Sequence, residues 1–479
     1  MEIVIVGAGE VGRMVAKKLS IEGHNVYLVE SNEAHAASAS EELDVEVIHG
    51  NGARPQVLAQ AGVVHGGSVD MLIACTNRDE VNMLSCWIAH SAGVPHVISR
   101  ARNLEFTDSA YWGKKLGIDV MISPERSIAR EIIELLAVSS ATHAAELLDG
   151  KAAIYTLRLS GKSPLVGKQL KDIRTLYPDL IAVFVFVEHE NGDAGVPNGF
   201  TELKENDLCY VVTYKQSAKL LEDIFQPDPD KTRKLKKVFI VGGGKLGTQI
   251  VQAMKRDYGN VGLRLIERDP EKCEKLSEEL GEALILNADG ADKNVLSEEG
   301  IEDADGYVCA TDSDELNLIY SVIAKNMGAK KTIAVVKRKD YQELTQSIPV
   351  DAIVDPNDAL ASLILRVVHY PTHTRAFSII EKINAEMLEV VMPENNGLIG
   401  KTLAELRLQK GVVVALLGRD EKVLVPTGAT KILAGDHVIL FALTSMMPEA
   451  AKLFSADEDV PEQDEQNKQN EQEEQDTQS

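Results

Sequence analysis

Cationic charge is scarce in this chain. Its 479 residues include 50 Lys and Arg against 74 Asp and Glu, a formal net charge of −24. That balance opposes nucleic-acid binding, which needs a cationic footprint, and is compatible with a saline-adapted surface. Long hydrophobic runs are also missing. The apolar stretches 180–187 and 411–417 fall far short of the roughly 20 residues a spanning helix requires. No direct membrane insertion is expected, so any membrane association must go through a partner. Cysteine is sparse, at positions 75, 86, 209, 273 and 309, with no CxxC pair. An odd, scattered set fits a reducing cytoplasm rather than a disulfide framework. Met1 leads straight into a strand pattern, so no secretory leader is expected. His369 and His373 are separated by Pro371 and lack a completing Cys or carboxylate, so no metal centre is expected. No Ser/His/Asp or Cys/His arrangement has a motif context, and no catalytic residue is assigned.

What remains is ordinary globular composition, 44% hydrophobic and 26% charged, over a length that accommodates several domains. Within it a glycine-rich turn occurs twice, 235 residues apart: Gly7-Ala8-Gly9-Glu10-Val11-Gly12 and Gly242-Gly243-Gly244-Lys245-Leu246-Gly247. Each follows an apolar strand pattern, 3–6 and 238–241, and opens a helical one. An acid ends the next strand in both copies, Glu30 and Glu267. Strand, glycine turn, helix and an acid about 20 residues on together form a dinucleotide-binding fingerprint. The first glycine permits the tight turn. The second lets a pyrophosphate approach the backbone, and the third lets helix and strand pack closely. The helix N-terminus offers N–H groups and partial positive charge to phosphates. Glu30 and Glu267 are expected to accept from ribose hydroxyls, which favours NAD(H) or an adenine nucleotide over NADP(H). Arg268, next to Glu267, softens that preference in the second copy.

The chain around each turn alternates strands and helices. Strands are expected at 2–6, 25–29, 45–49, 70–75, 95–99 and 118–122. Helices are expected near 10–22, 33–43, 54–61, 79–92 and 107–116, and another from Pro124 towards Glu146. This alternation implies a parallel sheet covered on both faces. The segment Thr76-Asn77-Arg78-Asp79-Glu80-Val81-Asn82 reappears as Thr311-Asp312-Ser313-Asp314-Glu315-Leu316-Asn317, at the same offset of 235. Thr76, Asn77, Thr311 and Asp312 follow a fourth strand, at the carboxyl edge where open sheets bind ligands. Asp79-Glu80 and Asp314-Glu315 read equally well as N-cap and first-turn acids. A second repeat pairs Leu165-Val166-Gly167-Lys168-Gln169-Leu170 with Leu398-Ile399-Gly400-Lys401-Thr402-Leu403. It marks two small α+β units, each closed by a Leu-rich helix ending at Phe225 or Phe454.

The expected fold class is α/β: two Rossmann-like doubly wound parallel-sheet domains, each followed by a small α+β domain. The expected boundaries are 1–142, 143–227, a linker at 228–236, 237–375 and 376–455. Residues 456–479 form an acidic, Gln-rich tail expected to be disordered.

The doubled glycine turn, the doubled Thr-x-x-Asp-Glu-x-Asn segment and the doubled Gly-Lys-x-Leu unit resemble the bacterial Trk potassium-uptake regulator family. The likeness covers residues 1 to about 455. It implies two RCK (KTN) nucleotide-binding domains, each followed by an RCK C-terminal domain, with NAD(H) as cofactor and ATP/ADP as alternative ligands. It implies an acid near the adenine, a place held by Asp289 in the second copy and by Asn51 in the first. It also implies an Arg at the end of the fifth strand that reaches phosphates or ribose. Arg100 stands there, whereas the counterpart is Val335, with Lys337 and Arg338 close by. The resemblance further implies a non-enzymatic regulatory subunit at the inner face of the cell membrane. Four chains would form a ring of eight RCK units, paired through the helices after the fifth and sixth strands. That ring would gate a membrane K⁺-translocating subunit resembling TrkH. An NAD-dependent oxidoreductase is the alternative, but it needs a substrate domain with an acid/base residue, and the small units are poor in His.

Overall fold

The computed structural model describes residues 1–107, 110–227, 235–338, 340–341, 348–369, 374–380, 383–420 and 422–454. The acidic tail, most of the linker and His373 lie outside the described residues, as does the side chain of His369. The first unit runs β1 (Glu2–Val6), α1 (Glu10–Ile21), β2 (Asn25–Glu30), α2 (Glu33–Glu42), β3 (Glu46–His49), α3 (Pro55–Gln60), β4 (Met71–Ala74) and α4 (Asp79–Ala92). It continues with β5 (His96–Arg100), α5 (Leu104–Thr107), α6 (Ala110–Leu116), β6 (Val120–Ile122) and α7 (Pro124–Ala137). The strands form one sheet in the order β3-β2-β1-β4-β5-β6, all parallel. The order reverses between β1 and β4, which puts the glycine turn after β1 at the switch point.

Helix α7 stops at Ala137, so the expected helix towards Glu146 is too long. Ala141–Leu147 is instead strand β7. Its main chain pairs antiparallel with β8 (Ala152–Arg158), and sheet pairing overrides the local helical pattern. The first small unit adds α8 (Leu170–Leu176), β9 (Ala182–Glu188), β10 (Ala194–Gly195), β11 (Leu208–Tyr214) and α9 (Ala218–Phe225). Its sheet order is β10-β9-β11-β8-β7.

The second half repeats this plan. Its parallel sheet comprises β12 (Lys237–Val241), β13 (Gly262–Glu267), β14 (Leu284–Asn287), β15 (Gly306–Cys309), β16 (Thr332–Val335) and β17 (Ala352–Val354). The order is β14-β13-β12-β15-β16-β17. Its helices include α10 (Lys245–Tyr258), α11 (Pro270–Leu280), α12 (Lys293–Glu298), α13 (Asp314–Asn326) and α14 (Pro356–His369). The second small unit holds β18 (Thr374–Ile380), β19 (Ala385–Val391), α15 (Leu403–Leu406), β20 (Val412–Arg419), β21 (Lys422–Leu424), β22 (His437–Leu443) and α16 (Met447–Phe454).

The helix after each sixth strand crosses to the other half. Ile128, Ile132 and Leu136 of α7 share a core with Ile250, Val251 and Met254 of α10. Leu360, Ile364 and Val368 of α14 share one with Val11, Val15 and Leu19 of α1. Burying each such side chain contributes roughly 1.5–3 kcal/mol, so each Rossmann unit depends on its sister for part of its core. Leu136 presses so close to β15 that a Cβ on Gly306 would lie 2.3 Å from its Cδ2. The buried Lys331 adds a polar tie, its Nζ donating to the carbonyls of Ser139 (2.8 Å) and Ala141. The two small sheets pack together through Phe186, Ile154, Met387 and Phe441.

Candidate functional site

Both glycine turns have the backbone that the fingerprint requires. Gly7 (φ +109°) and Gly242 (φ +106°) occupy a region that side chains rarely adopt. A Cβ on Gly12 would lie 1.8 Å from the Gly7 carbonyl oxygen, and on Gly247 2.0 Å from that of Gly242. Glycine at these places lets the helix sit on its own turn. Gly9 and Gly244 are exposed, and a Cβ there would meet nothing within 4 Å. They face open space in ordinary extended backbone (φ −69° and −77°), and lead into α1 and α10. Glu10, first in α1, and its counterpart Lys245, first in α10, are likewise exposed. Asn357 of the other half donates to Glu10 at 2.7 Å. Val11 is buried against the sheet and Leu246 half-buried.

The acids after the second strands hold the turns. Glu30 accepts from the N–H of Ala8 and of Asn32, both at 2.7 Å. Glu267 accepts from Gly243 N at 2.9 Å, Arg268 N at 2.8 Å and Asp269 N at 2.9 Å. Partial burial opposes ionisation of Glu267, but the N–H groups of Asp269, Gly243 and Arg268 outweigh it and lower its pKa. Each carboxylate thus braces the loop that the phosphates would meet. The middle residue differs for a steric reason. Ala8 is accommodated, whereas a Cβ on Gly243 would lie 2.4 Å from Leu276 Cδ1.

At the carboxyl edge the Thr-x-x-Asp-Glu-x-Asn segment makes the same clamp twice. Asn82 is fully buried. Its Oδ1 accepts from Thr76 N (2.9 Å) and Oγ1 (2.6 Å), and its Nδ2 donates to the carbonyls of Thr76 (3.1 Å) and Arg100 (3.0 Å). Asn317 repeats all four bonds with Thr311 and Val335, at 3.0, 2.6, 3.1 and 2.8 Å. The hydroxyls of Thr76 and Thr311 are therefore engaged, while Asn77 and Asp312 are exposed beside them. Asp79 and Asp314 do not cap their helices: the N-cap positions are Arg78 and Ser313. Both carboxylates instead reach the loop after the fifth strand. Asp79 takes the N–H of Arg102 and Asn103, and Asp314 that of Lys337 and Arg338. Sequence reasoning left Asn82 and Asn317 without a role. The available signal was an amide kept at the same offset after a conserved-length loop.

The mouths of the two sites differ. Arg100 projects from the end of β5, and its Nε is buried without a hydrogen-bond partner. Burial lowers its pKa, with Glu125 opposing. Val335 is buried at the equivalent place. Arg338 does not fill the gap, since its guanidinium lies over the Tyr341 ring at 4.3 Å and pairs with Asp340 at 3.4 Å. Asn51 is exposed, its Oδ1 turned onto Ala53 N (2.9 Å). Asp289 is exposed too, but accepts from Ala291 N (2.8 Å) and from the Tyr320 hydroxyl (3.0 Å). Burial and that carboxylate push Tyr320 up to about 12. Among the described residues no group of three His, Cys, Asp or Glu is placed to hold a metal ion, and no helix is long and apolar enough to cross a membrane.

Comparison with known proteins agrees with this architecture. The TrkA-N domain family matches residues 3–124 and 238–356, and the TrkA-C domain family residues 387–455. "Trk system potassium uptake protein TrkA homolog 2" of Methanosarcina mazei is 35% identical over 463 residues, covering 95% of this chain and all of that protein. The TrkA homolog of Archaeoglobus fulgidus is 31% identical over 455 residues, again covering 95% of this chain and all of the relative. Among solved structures, a GsuK channel described as bound to NAD has the same fold, with a TM-score of 0.59 at 20% identity. That match covers 95% of this chain and 78% of the channel. With both nucleotide-type halves matched and full-length relatives above 30% identity, this chain belongs to the TrkA family of Trk system potassium uptake proteins.

Proposed function

We propose that this protein is a nucleotide-sensing regulatory subunit, not an enzyme, and that it gates a membrane K⁺-translocating subunit resembling TrkH. NAD(H) occupies the glycine cradles, with ATP or ADP as alternative ligands. The observation that carries the reading is the pair of open cradles at Gly9 and Gly244, each above a braced loop. The GsuK channel described as bound to NAD shares that fold. The domain limits stay at 1–142, 143–227, 237–375 and 376–455. Because α7 and α14 each pack on the opposite half, a ligand that shifts one Rossmann unit acts on the other, and differential binding biases a two-state assembly. Leu84 and Trp87 of α4, with Tyr111 and Trp112 of α6, are exposed on two helices that touch. Such a patch suits contact between chains in a tetramer of eight RCK units. The protein works at the cytoplasmic face of the membrane, held there by its partner.

The test is titration of the purified full chain with NADH, NAD, ATP and ADP, with particle mass recorded in each state. K⁺ flux through the co-reconstituted membrane subunit is measured alongside. Saturable binding with a change in flux supports the reading. Substrate-dependent turnover of NADH favours an oxidoreductase, and absence of binding rejects the assignment of the cradles.

A further inference from the structure

The first glycine cradle borders a residue of the other half. Glu10 opens α1 where the glycine turn meets the helix, and it is exposed. Asn357, the second residue of α14, donates from Nδ2 to Glu10 Oε2 at 2.7 Å. The partners are 347 residues apart in the chain, and packing brings them together. Val11, Val15 and Leu19 of α1 share a core with Leu360, Ile364 and Val368 of α14, and the starts of the two helices meet at this bond. The main chain of Asn357 is tied as well, its N–H donating to Asp355 Oδ1 at 2.8 Å.

Glu10 is an acid at an anion-binding position. The first-turn N–H groups of α1 have no acceptor within the helix, and they attract negative charge. A carboxylate at the first helical residue is drawn to those groups and repels a pyrophosphate beside them. Asn357 gives that carboxylate another partner. The second cradle has neither side of this arrangement. Lys245, exposed, stands in place of Glu10. Glu125, which follows Pro124 as Asn357 follows Pro356, accepts from Arg102 Nε at 3.0 Å instead.

We propose that Asn357 is a positioning residue for the first cradle: it holds the Glu10 carboxylate on the α14 side and leaves the start of α1 to a dinucleotide's pyrophosphate. This rests on the reading of that cradle as a nucleotide site. By linkage, a ligand whose binding the Glu10–Asn357 bond favours must favour the bond in return. Occupancy of the first cradle therefore tightens α14, which belongs to the second half, against α1. The second cradle has no such route, because Lys245 attracts phosphates directly.

The test is NADH calorimetry in a Gly244→Leu background, where only the first cradle reports. Asn357→Ala frees Glu10 to compete, and NADH affinity should fall about threefold to tenfold. Glu10→Ala removes the competing charge, and affinity should rise. With Glu10→Ala present, adding Asn357→Ala should change nothing further, a coupling that the double-mutant cycle measures. A loss caused by disturbed packing of α14 appears in both backgrounds. Amide hydrogen exchange gives a readout apart from affinity. NADH should slow exchange at the start of α14 in the Gly244→Leu protein but not in its Glu10→Ala variant. Equal NADH affinity with and without Asn357→Ala overturns the proposal and leaves the cradle reading intact. So does the same loss in the Glu10→Ala background, or exchange at α14 that ignores Glu10. Absence of NADH binding in the Gly244→Leu protein removes the cradle reading, and the proposal with it.

Discussion

The two Rossmann halves share a backbone and differ in what they present to a ligand. In both, an acid braces the glycine turn, a buried Asn ties the fourth strand's loop to the end of the fifth, and an Asp holds the loop beyond. Each of these side chains satisfies main-chain groups. Losing one leaves buried donors or acceptors unpaired, at about 1–3 kcal/mol. At the mouth Asn51 and Asp289 still each accept from a main-chain N–H two residues on, but the charges there diverge. Glu10 stands opposite Lys245, Arg100 opposite Val335, and Asn51 opposite an Asp289 held by Tyr320. Duplication has kept the polar contacts that shape the backbone and varied the charge that selects a ligand.

The sharpest way to break the comparison is to close each cradle separately. Gly9→Leu and Gly244→Leu each place a side chain in open space without straining the backbone. Each should reduce nucleotide affinity at its own site by about a hundredfold or more, about 3 kcal/mol, with melting temperature nearly unchanged. NADH calorimetry on the two variants ranks the sites, and the first is expected to be the tighter. A Gly9→Leu protein with intact NADH affinity, beside a Gly244→Leu protein with none, reverses the ranking.

The next largest effect tests why the first site should win. Arg100→Leu removes a half-buried cation whose Nε has no protein partner. A charge-assisted contact contributes roughly 1.5–3 kcal/mol, so NADH should bind about tenfold or more weakly at the first site. Val335→Arg should not gain as much at the second, since the pocket there is packed for Val. Equal affinities in wild type and Arg100→Leu remove Arg100 from the site.

The steric difference at the middle of the turn gives a smaller effect on stability. Gly243→Ala forces a methyl against Leu276 and should cost about 1–3 kcal/mol, read by denaturant unfolding. Ala8→Gly in the other half should lose less. In a Leu276→Ala background, Gly243→Ala should cost less than in wild type, and that difference in a double-mutant cycle separates a clash from a backbone effect.

The smallest effect is a pH dependence. The folded state lowers the pKa of Glu267, so the stability it contributes is present above its unfolded value. That stability is lost as pH falls from about 4.3 through the lower folded value. The side chain is half-exposed, which limits the term to about 1 kcal/mol or less. Glu267→Gln should flatten the acid limb of the stability curve by that amount. An unchanged acid limb removes the brace from the account of acid stability.

Much of the fold was legible in the sequence because its signals are local. The strand expected at 25–29 is Asn25–Glu30, and the helix expected at 79–92 is Asp79–Ala92. Alternating apolar runs and glycine turns encode such elements within a few residues. The helix drawn on towards Glu146 failed because β7 exists through its pairing with β8, which no window around Ala141 contains. The site was legible in its glycines and acids. Its clamps were not, because Asn82 to Arg100 and Asp79 to Arg102 are contacts between separate loops.

By itself the sequence determined the doubled plan: two glycine turns at one offset, two acids after the second strands, two small units behind them. Those follow from backbone sterics and residue spacing, which act over short distances. Tertiary structure alone decided which half covers which. The exchange of α7 and α14 and the seat of Leu136 over Gly306 depend on buried area shared between distant segments. Apolar burial is non-directional and records no address in the chain, so these partners are set by how the packed units fit together.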